Sequence, residues 1–202
     1  RHRYDEYASL LVNVFSSLQE AGVRDLADLF TRLNTRSGME AFCHASEIPA
    51  QDIARVMKFL TYWFIPSPKY LGSLVRFDPE DSAAIKDLSI HGIRTNLDLL
   101  EAGDTAEKRR SLAGKSKVPQ AIIEKLVNRA DLSRMPWASK ATISNILGAG
   151  YGSVKKLAEA DPQKLYMDFF QYGQRIGKNL KLGNEIENSH RIAKIVPLIV
   201  HG

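Results

Sequence analysis

The side chains with the most potential for chemistry are cations that cluster in the second half of the chain. Lys and Arg contact nucleic-acid phosphates through charge, without reading the base sequence. Residues 108–117 hold five such side chains and no Asp or Glu. We therefore predict a nucleic-acid-binding surface here, extended by neighbouring turns. The predicted contact residues are Lys108, Arg109, Arg110, Lys115, Lys117, Arg134, Ser139, Lys140, Lys155 and Lys156.

The charge of the chain is divided unevenly along its length. Residues 1–107 contain 11 Lys/Arg and 16 Asp/Glu, whereas residues 108–202 contain 17 and 7. A basic half of this kind indicates contact with a polyanion or with an acidic protein surface. On a helix, Lys108, Arg109 and Lys115 are expected to share much of one exposed face. A solvated helix surface has the same composition, and this alternative stays open.

Motifs typical of catalytic and metal sites are weak in this sequence. Glu187 and His190 have the spacing that puts two metal ligands on one helix face, but a di-iron bundle needs a second such motif, which the sequence lacks. Phosphate-binding loops, paired-histidine zinc motifs and nucleophile elbows do not occur. We therefore expect neither an enzyme nor a cofactor or metal.

Cysteine content and hydropathy give an expected location. The single cysteine, Cys43, cannot form an internal disulfide, which favours a reducing compartment such as the cytoplasm. The longest apolar run, residues 59–66, is far shorter than the ~20 residues of a membrane-spanning helix, and no secretory signal pattern occurs. We expect a cytoplasmic protein with no membrane partner.

The chain contains an internal duplication. At an offset of 70 residues, residues 22–66 align without gaps with residues 92–136, and apolar positions keep their phase throughout. A partial third copy begins at Gly150. Such periodicity is typical of repeat architectures. The predicted repeats cover residues 1–76, 77–147 and 148–202.

The predicted secondary structure is entirely helical. Apolar residues recur at helical spacing, for example over residues 10–18, and no segment alternates with a period of two. Gly22 and Gly92 follow such helices, where a left-handed cap favours glycine. Pro49 and Pro119 stand in predicted first turns, where a missing amide costs little. We therefore predict an all-α fold of about a dozen short helices and no sheet.

The segment Gly92-Ile93-Arg94-Thr95-Asn96-Leu97-Asp98-Leu99-Leu100 resembles the helix-hairpin-helix modules of the RNA-polymerase alpha C-terminal domain and of strand-exchange recombinases. The order of this segment, residues 130–134 and residues 150–157 resembles that in the family named domain of unknown function 4332. The resemblance covers roughly residues 10–165. It implies tandem helix-hairpin-helix-like (SAM-domain-like) repeats, but a fold of this kind does not fix a function.

In the nucleic-acid-binding version of this module, glycine-flanked backbone amides in the hairpin contact a phosphate. The corresponding hairpins here, residues 65–69 and 135–139, have proline where the first glycine is expected. Proline has no amide to donate, so neither hairpin is a typical phosphate cradle. The second hairpin keeps Arg134, Ser139 and Lys140 as candidate contacts, with Ser139 also able to cap the next helix.

A glycine-rich turn at residues 148–153 precedes Lys155 and Lys156. Its residue types suit a phosphate, but a link between two helices needs glycines for its backbone angles as well, and we favour the link. The leading function is non-catalytic, sequence-nonspecific binding of the DNA or RNA backbone by the basic half. The alternative is a protein-protein interaction scaffold, including self-association of acidic and basic halves. An enzyme with a site in residues 173–202 is the third possibility.

Overall fold

A computed structural model describes four stretches of the chain: residues 2–64, 67–75, 79–136 and 138–201. These stretches form thirteen α-helices and one π-helical turn. Within them the only β-type pairing is an isolated antiparallel bridge between Tyr70 and Thr95. The predicted all-α fold is confirmed.

The chain divides into two compact units, residues 1–66 and 67–202. In the first unit, α1 packs on α4, α2 on α3, and α3 on α4, so that each helix buries one apolar stripe. The helices of this unit are α1 (His2–Glu20), α2 (Leu26–Leu33), α3 (Arg36–Ser46) and α4 (Ala50–Phe64). Their core consists of Val14, Leu18, Leu29, Phe42, Ile48, Ile53, Val56 and Leu60.

The second unit holds the remaining elements. They are α5 (Leu71–Leu74), α6 (Pro79–Ile90), α7 (Asn96–Gly103), α8 (Ala106–Ser116), α9 (Gln120–Leu132), α10 (Lys140–Gly148), α11 (Val154–Ala158), α12 (Pro162–Arg175), a π-helical turn (Leu182–Glu187) and α13 (Asn188–Ala193). Helix α9 is central, because it packs against α5, α6, α7, α8 and α10. Accordingly, Ile123, Leu126, Val127 and Ala130 of α9 are all buried.

Helix boundaries in the two units differ by the same 70 residues that separate the aligned sequences. Helices α2 and α7, and likewise α3 and α8, begin and end 70 residues apart. Thr35 and Thr105 cap α3 and α8 in the same way, each accepting a hydrogen bond from a backbone amide three residues on. Glu47 and Lys117 end these helices in the left-handed conformation, with φ of 56° and 59°. Residues of α2 and α3 are therefore structurally equivalent to the residues 70 positions later in α7 and α8.

Glycine ends several of these helices in the left-handed conformation. Gly22, Gly92, Gly150 and Gly177 have φ of 72°, 81°, 99° and 66°. At each, the glycine amide donates to a carbonyl three residues back and the next amide to one five residues back. This is the Schellman motif, which satisfies carbonyls that the helix end leaves open. The predicted glycine caps at Gly22 and Gly92 are confirmed.

The segment 67–75 lies in the second compact unit, although the predicted repeat boundary puts it with the first copy. The Lys69 amide donates to Asn96 Oδ1 at 2.8 Å, and the Asn96 amide donates to the Lys69 carbonyl at 2.9 Å. Lys69 Nζ also donates to the carbonyl of Ser133, at the end of α9, at 2.6 Å. Packing and sequence repeat thus divide the chain differently here. The repeats 1–76, 77–147 and 148–202 stay a prediction.

Candidate nucleic-acid interface

Helix α8 carries the first group of predicted contact residues. Lys108, Arg110, Lys115 and Lys117 are all exposed. The Lys108 ammonium is engaged, because its Nζ lies 2.9 Å from Asp104 Oδ2 and donates to the Glu101 carbonyl. The side chains of Arg110, Lys115 and Lys117 make no hydrogen bond or ion pair with any described residue. These three cations, which we call the α8 group, are available to an external anion.

The prediction that Arg109 lies on one exposed face with Lys108 and Lys115 is wrong. It is only 8% exposed, and its guanidinium donates to three carbonyl oxygens. Nη1 donates to Gly103 at 3.0 Å and Asp104 at 3.3 Å, while Nη2 donates to His201 at 3.0 Å. Adjacent residues of a helix point about 100° apart, so Arg109 faces inward when Lys108 faces out. There it satisfies carbonyls at the end of α7.

Arg134 is also taken up inside the second unit. Its Nη2 lies 2.6 Å from Asp131 Oδ1, and the side chains are 6% and 2% exposed. The other Asp131 oxygen accepts a hydrogen bond from the Val154 amide at 2.9 Å. Asp131 therefore joins α9 to the first turn of α11. In this position Arg134 compensates a buried carboxylate instead of facing a ligand.

The hairpin before α10 has a structural role. The Ser139 hydroxyl accepts a hydrogen bond from the Thr142 amide at 3.1 Å, which confirms the predicted N-cap. Lys140 is exposed in the first turn and has no side-chain partner among the described residues. Trp137 of this hairpin lies outside the described residues, as do residues 65 and 66 of the earlier hairpin predicted at residues 65–69.

Three amides of the glycine-rich turn at residues 148–153 make hydrogen bonds within the fold. The amides of Ala149, Gly150 and Tyr151 all donate to carbonyls of α10. Gly148 allows the Tyr172 ring to approach so closely that a Cβ would lie 2.1 Å from it. The turn is thus a helix-to-helix link, the interpretation favoured from the sequence.

Lys155 and Lys156 border a cleft of about 380 Å³ in the second unit. Both are exposed, and their side chains have no partner among the described residues. We call this pair the α11 group. The cleft is also lined by Arg109, Asn128, Ser153, Val200 and His201, with two acidic residues, Glu124 and Glu159. No pattern in the sequence pointed to Asn128 or His201, because the segments that meet here are far apart in the chain.

Lys156 is the third residue of α11, a position that is acidic in α2 and α7. Asp28 and Asp98 occupy the third position of α2 and α7 and accept backbone hydrogen bonds from Arg24 and Arg94. The Arg32 side chain and the Arg24 amide lower the pKa of Asp28 to about 2. A carboxylate is favoured at a helix N-terminus, and a cation there is unfavourable. Lys156 of α11 holds this position, as Lys108 does in α8 and Lys164 in α12, so these helices lack the acidic side chain of α2 and α7.

The basic character is confined to one part of the second unit. Within that unit, residues 67–107 carry 4 Lys/Arg and 8 Asp/Glu, and residues 108–202 carry 17 and 7. The first unit, residues 1–66, has 7 Lys/Arg and 8 Asp/Glu. The charge division seen in the sequence therefore falls inside the second unit, near the start of α8.

Groups with perturbed protonation lie elsewhere and serve packing. Burial, followed by the hydrogen bond to Asp168, raises the pKa of Tyr151 to about 12, so this phenol stays protonated. Burial and then the charge of Lys194 lower the pKa of His190, whose Nε2 has no hydrogen-bond partner in the described part of the chain. The described residues include no group of three His, Cys, Asp or Glu side chains that could hold a metal ion.

Fold and surface together define an all-helical protein in which the cations of the α8 and α11 groups have no side-chain partner among the described residues. Residues 82–186, just over half of the 202-residue chain, match the family described as a domain of unknown function (DUF4332), and the chain belongs to that family. The match begins in α6 and so excludes the first unit, which the sequence resemblance had included. No curated protein and no solved structure matches the chain. Among the described helices, none has the length and apolar character that crossing a membrane requires.

Proposed function

We propose that the second unit binds the backbone of DNA or RNA without sequence selection and without catalysis. The observation that carries this proposal is the set of exposed cations in the α8 and α11 groups, which have no partner in the described part of the chain. Lysine and arginine bind phosphates through charge and release condensed counterions, which drives association with any sequence.

The first unit provides an internal reference for this interpretation. The α8 group occupies positions that Glu40, Ala45 and Glu47 occupy in α3. In α3 the one nearby cation, Arg36, pairs with Glu40 at 3.0 Å. The same helix geometry thus presents paired or acidic side chains in the first unit and unpaired cations in the second. The difference concerns the surface and leaves the backbone unchanged.

Charge substitutions in the α8 group test the proposal. Arg110→Glu, Lys115→Ala and Lys117→Glu together restore the residue types of α3, which this helix geometry accommodates. Fluorescence anisotropy with labelled duplex and single-stranded DNA should show a large loss of affinity. The matched control combines Arg36→Ala, Lys58→Glu and Lys86→Glu, which make the same change in net charge elsewhere. Equal losses in both variants would mean that net charge, and no particular surface, governs binding.

We further propose that the chain works in the cytoplasm without a cofactor and that its units are helix-hairpin-helix-like. The single cysteine, Cys43, supports a reducing compartment. The Schellman-type glycine turns between short helices support the fold relationship. A location test by fractionation and a solved homologous structure would check these two points separately.

A second candidate function is a protein-protein scaffold, and exposed apolar side chains favour it. Met167 and Phe170 lie one turn apart on α12 and are 55% and 46% exposed. Exposed aromatic and methionine side chains are typical of protein interfaces. Light scattering at two salt concentrations would detect self-association of the acidic and basic segments. A higher molecular mass at the lower salt concentration, together with no nucleic-acid binding, would favour the scaffold.

A further inference from the structure

Residues 197–201, which we call the strap, return to the start of α8. The His201 amide donates to the Asp104 carbonyl at 2.7 Å, and Arg109 Nη2 donates to the His201 carbonyl at 3.0 Å. Both bonds involve the strap backbone. Arg109 is therefore the side chain that anchors this segment to the α7–α8 junction.

Arg109 distinguishes this junction from its counterpart in the first unit. The equivalent position in α3 is Met39, a partly buried side chain packed against the apolar core. The methionine side chain has no N–H group to donate to a carbonyl, whereas a guanidinium has five. The hydrogen bonds from Arg109 Nη1 to Gly103 and Asp104 hold the guanidinium in place independently of the strap.

The strap also forms a wall of the basic cleft. Val200 and His201 line the cleft together with Arg109 and the α11 group. The His201 carbonyl thus puts a partial negative charge on a guanidinium inside this cleft. A phosphate oxygen accepts the same hydrogen bond and carries a full negative charge, so it adds an attraction between two ions that the neutral carbonyl cannot supply.

We propose that Arg109 is a phosphate-binding residue which the strap covers, and that the strap and a backbone phosphate of DNA or RNA compete for its Nη2. This inference rests on the proposed function. The strap offers modest resistance, because backbone hydrogen bonds exchange with water at little net cost and Leu198 is 45% exposed. Since Nη1 stays fixed by the α7 carbonyls, the site is organised before phosphate arrives.

Salt-dependent binding of duplex DNA by four proteins tests the competition. They are the 202-residue chain, a variant that ends at Val196, the Arg109→Met variant and the combination of both. Removing the strap should add one phosphate contact and steepen the log-log salt slope by about 0.9. The gain in affinity should then shrink by about 3.5-fold between 50 and 200 mM salt.

The Arg109 variants assign that gain to one side chain. In the 202-residue chain, Arg109→Met should leave the salt slope unchanged, because the strap covers Arg109. In the shortened chain the same substitution should cancel the whole gain, and Arg109→Lys should retain part of it. An unchanged slope after shortening, or a gain that survives Arg109→Met, would overturn the proposal.

A milder variant guards against loss of folding in the shortened chain. His201→Pro removes the amide that donates to Asp104 and keeps every other residue. Like the shortened chain, this variant should show a steeper salt slope of DNA binding, and its circular dichroism spectrum should be unchanged. Failure of the 202-residue chain to bind DNA at any salt would overturn the proposed function itself. If the 202-residue chain binds, but neither strap variant changes the salt slope, the competition alone is overturned.

Discussion

Helices α3 and α8 share their boundaries and caps and differ in what they present to solvent. The hydroxyls of Ser46 and Ser116 each donate a hydrogen bond to the carbonyl four residues back. Each also accepts a hydrogen bond from the backbone amide two residues on. The following residues, Glu47 and Lys117, adopt the same left-handed conformation, which is costly for side chains with a Cβ. The backbone requirement is therefore identical, while the charge is reversed. Function should be sought where the two helices differ.

The largest expected effect comes from Asp131, whose equivalent in the first unit is the exposed Thr61. Asp131→Ala leaves the buried Arg134 guanidinium without its carboxylate and should cost about 3–5 kcal/mol of unfolding free energy. Urea unfolding followed by circular dichroism measures this cost. Thr61→Ala is the control and should stay within about 0.5 kcal/mol of the parent chain. A cost below about 1 kcal/mol for Asp131→Ala would show that Arg134 finds another partner or water.

The α8 group can be transferred to α3 to ask whether its position suffices for binding. Glu40→Arg, Ala45→Lys and Glu47→Lys add three cations at the equivalent positions. The salt slope of duplex binding should steepen by up to about 2.7, or 0.9 for each contact. The control variant Glu40→Gln/Glu47→Gln removes the two carboxylates without adding a cation. It therefore separates the effect of the added cations from the loss of repulsion between carboxylates and phosphates. Equal slopes for graft and control would show that the rest of the second unit is needed.

Acid should destabilise the second unit through His190. Burial and Lys194 lower the pKa of His190 from its usual 6.5, so the folded state favours the neutral ring. A lowered pKa contributes stability that is present above the unfolded value and lost as the pH falls below it. Melting temperatures at pH 7.5 and at about pH 5.5 should therefore differ more for the parent chain than for His190→Gln. The same pH dependence in both proteins would place the titrating group elsewhere.

The smallest expected effect has opposite signs for stability and binding. Lys156→Asp gives α11 the carboxylate that Asp28 and Asp98 supply to α2 and α7. It should stabilise the unit by about 0.3–1 kcal/mol through the helix dipole and backbone hydrogen bonds. It should also flatten the salt slope by about 0.9, because one phosphate contact is lost. Stability is measured by urea unfolding, and Lys156→Ala separates loss of the cation from gain of the cap. A stabilised protein with an unchanged slope would remove Lys156 from the interface.

The sequence predicted local features well and long-range contacts poorly. Gly22 and Gly92 were identifiable as caps, and Ser139 as an N-cap, because these roles depend on the residue and its immediate neighbours. Arg109 was expected on the exposed face with Lys108, since charge alone does not reveal which helix face meets carbonyls of another element. The contact of Arg109 with His201 joins positions 92 residues apart, and no local pattern encodes it.

We propose above all that the cations of the α8 and α11 groups bind nucleic-acid phosphates. The most direct measurement is the salt slope of duplex binding by the 202-residue chain. Five phosphate contacts predict a slope of about −4.5, and replacing the α8 group by the α3 residue types should reduce it to about −1.8. A slope near zero for the 202-residue chain, or no binding at low salt, would contradict this proposal.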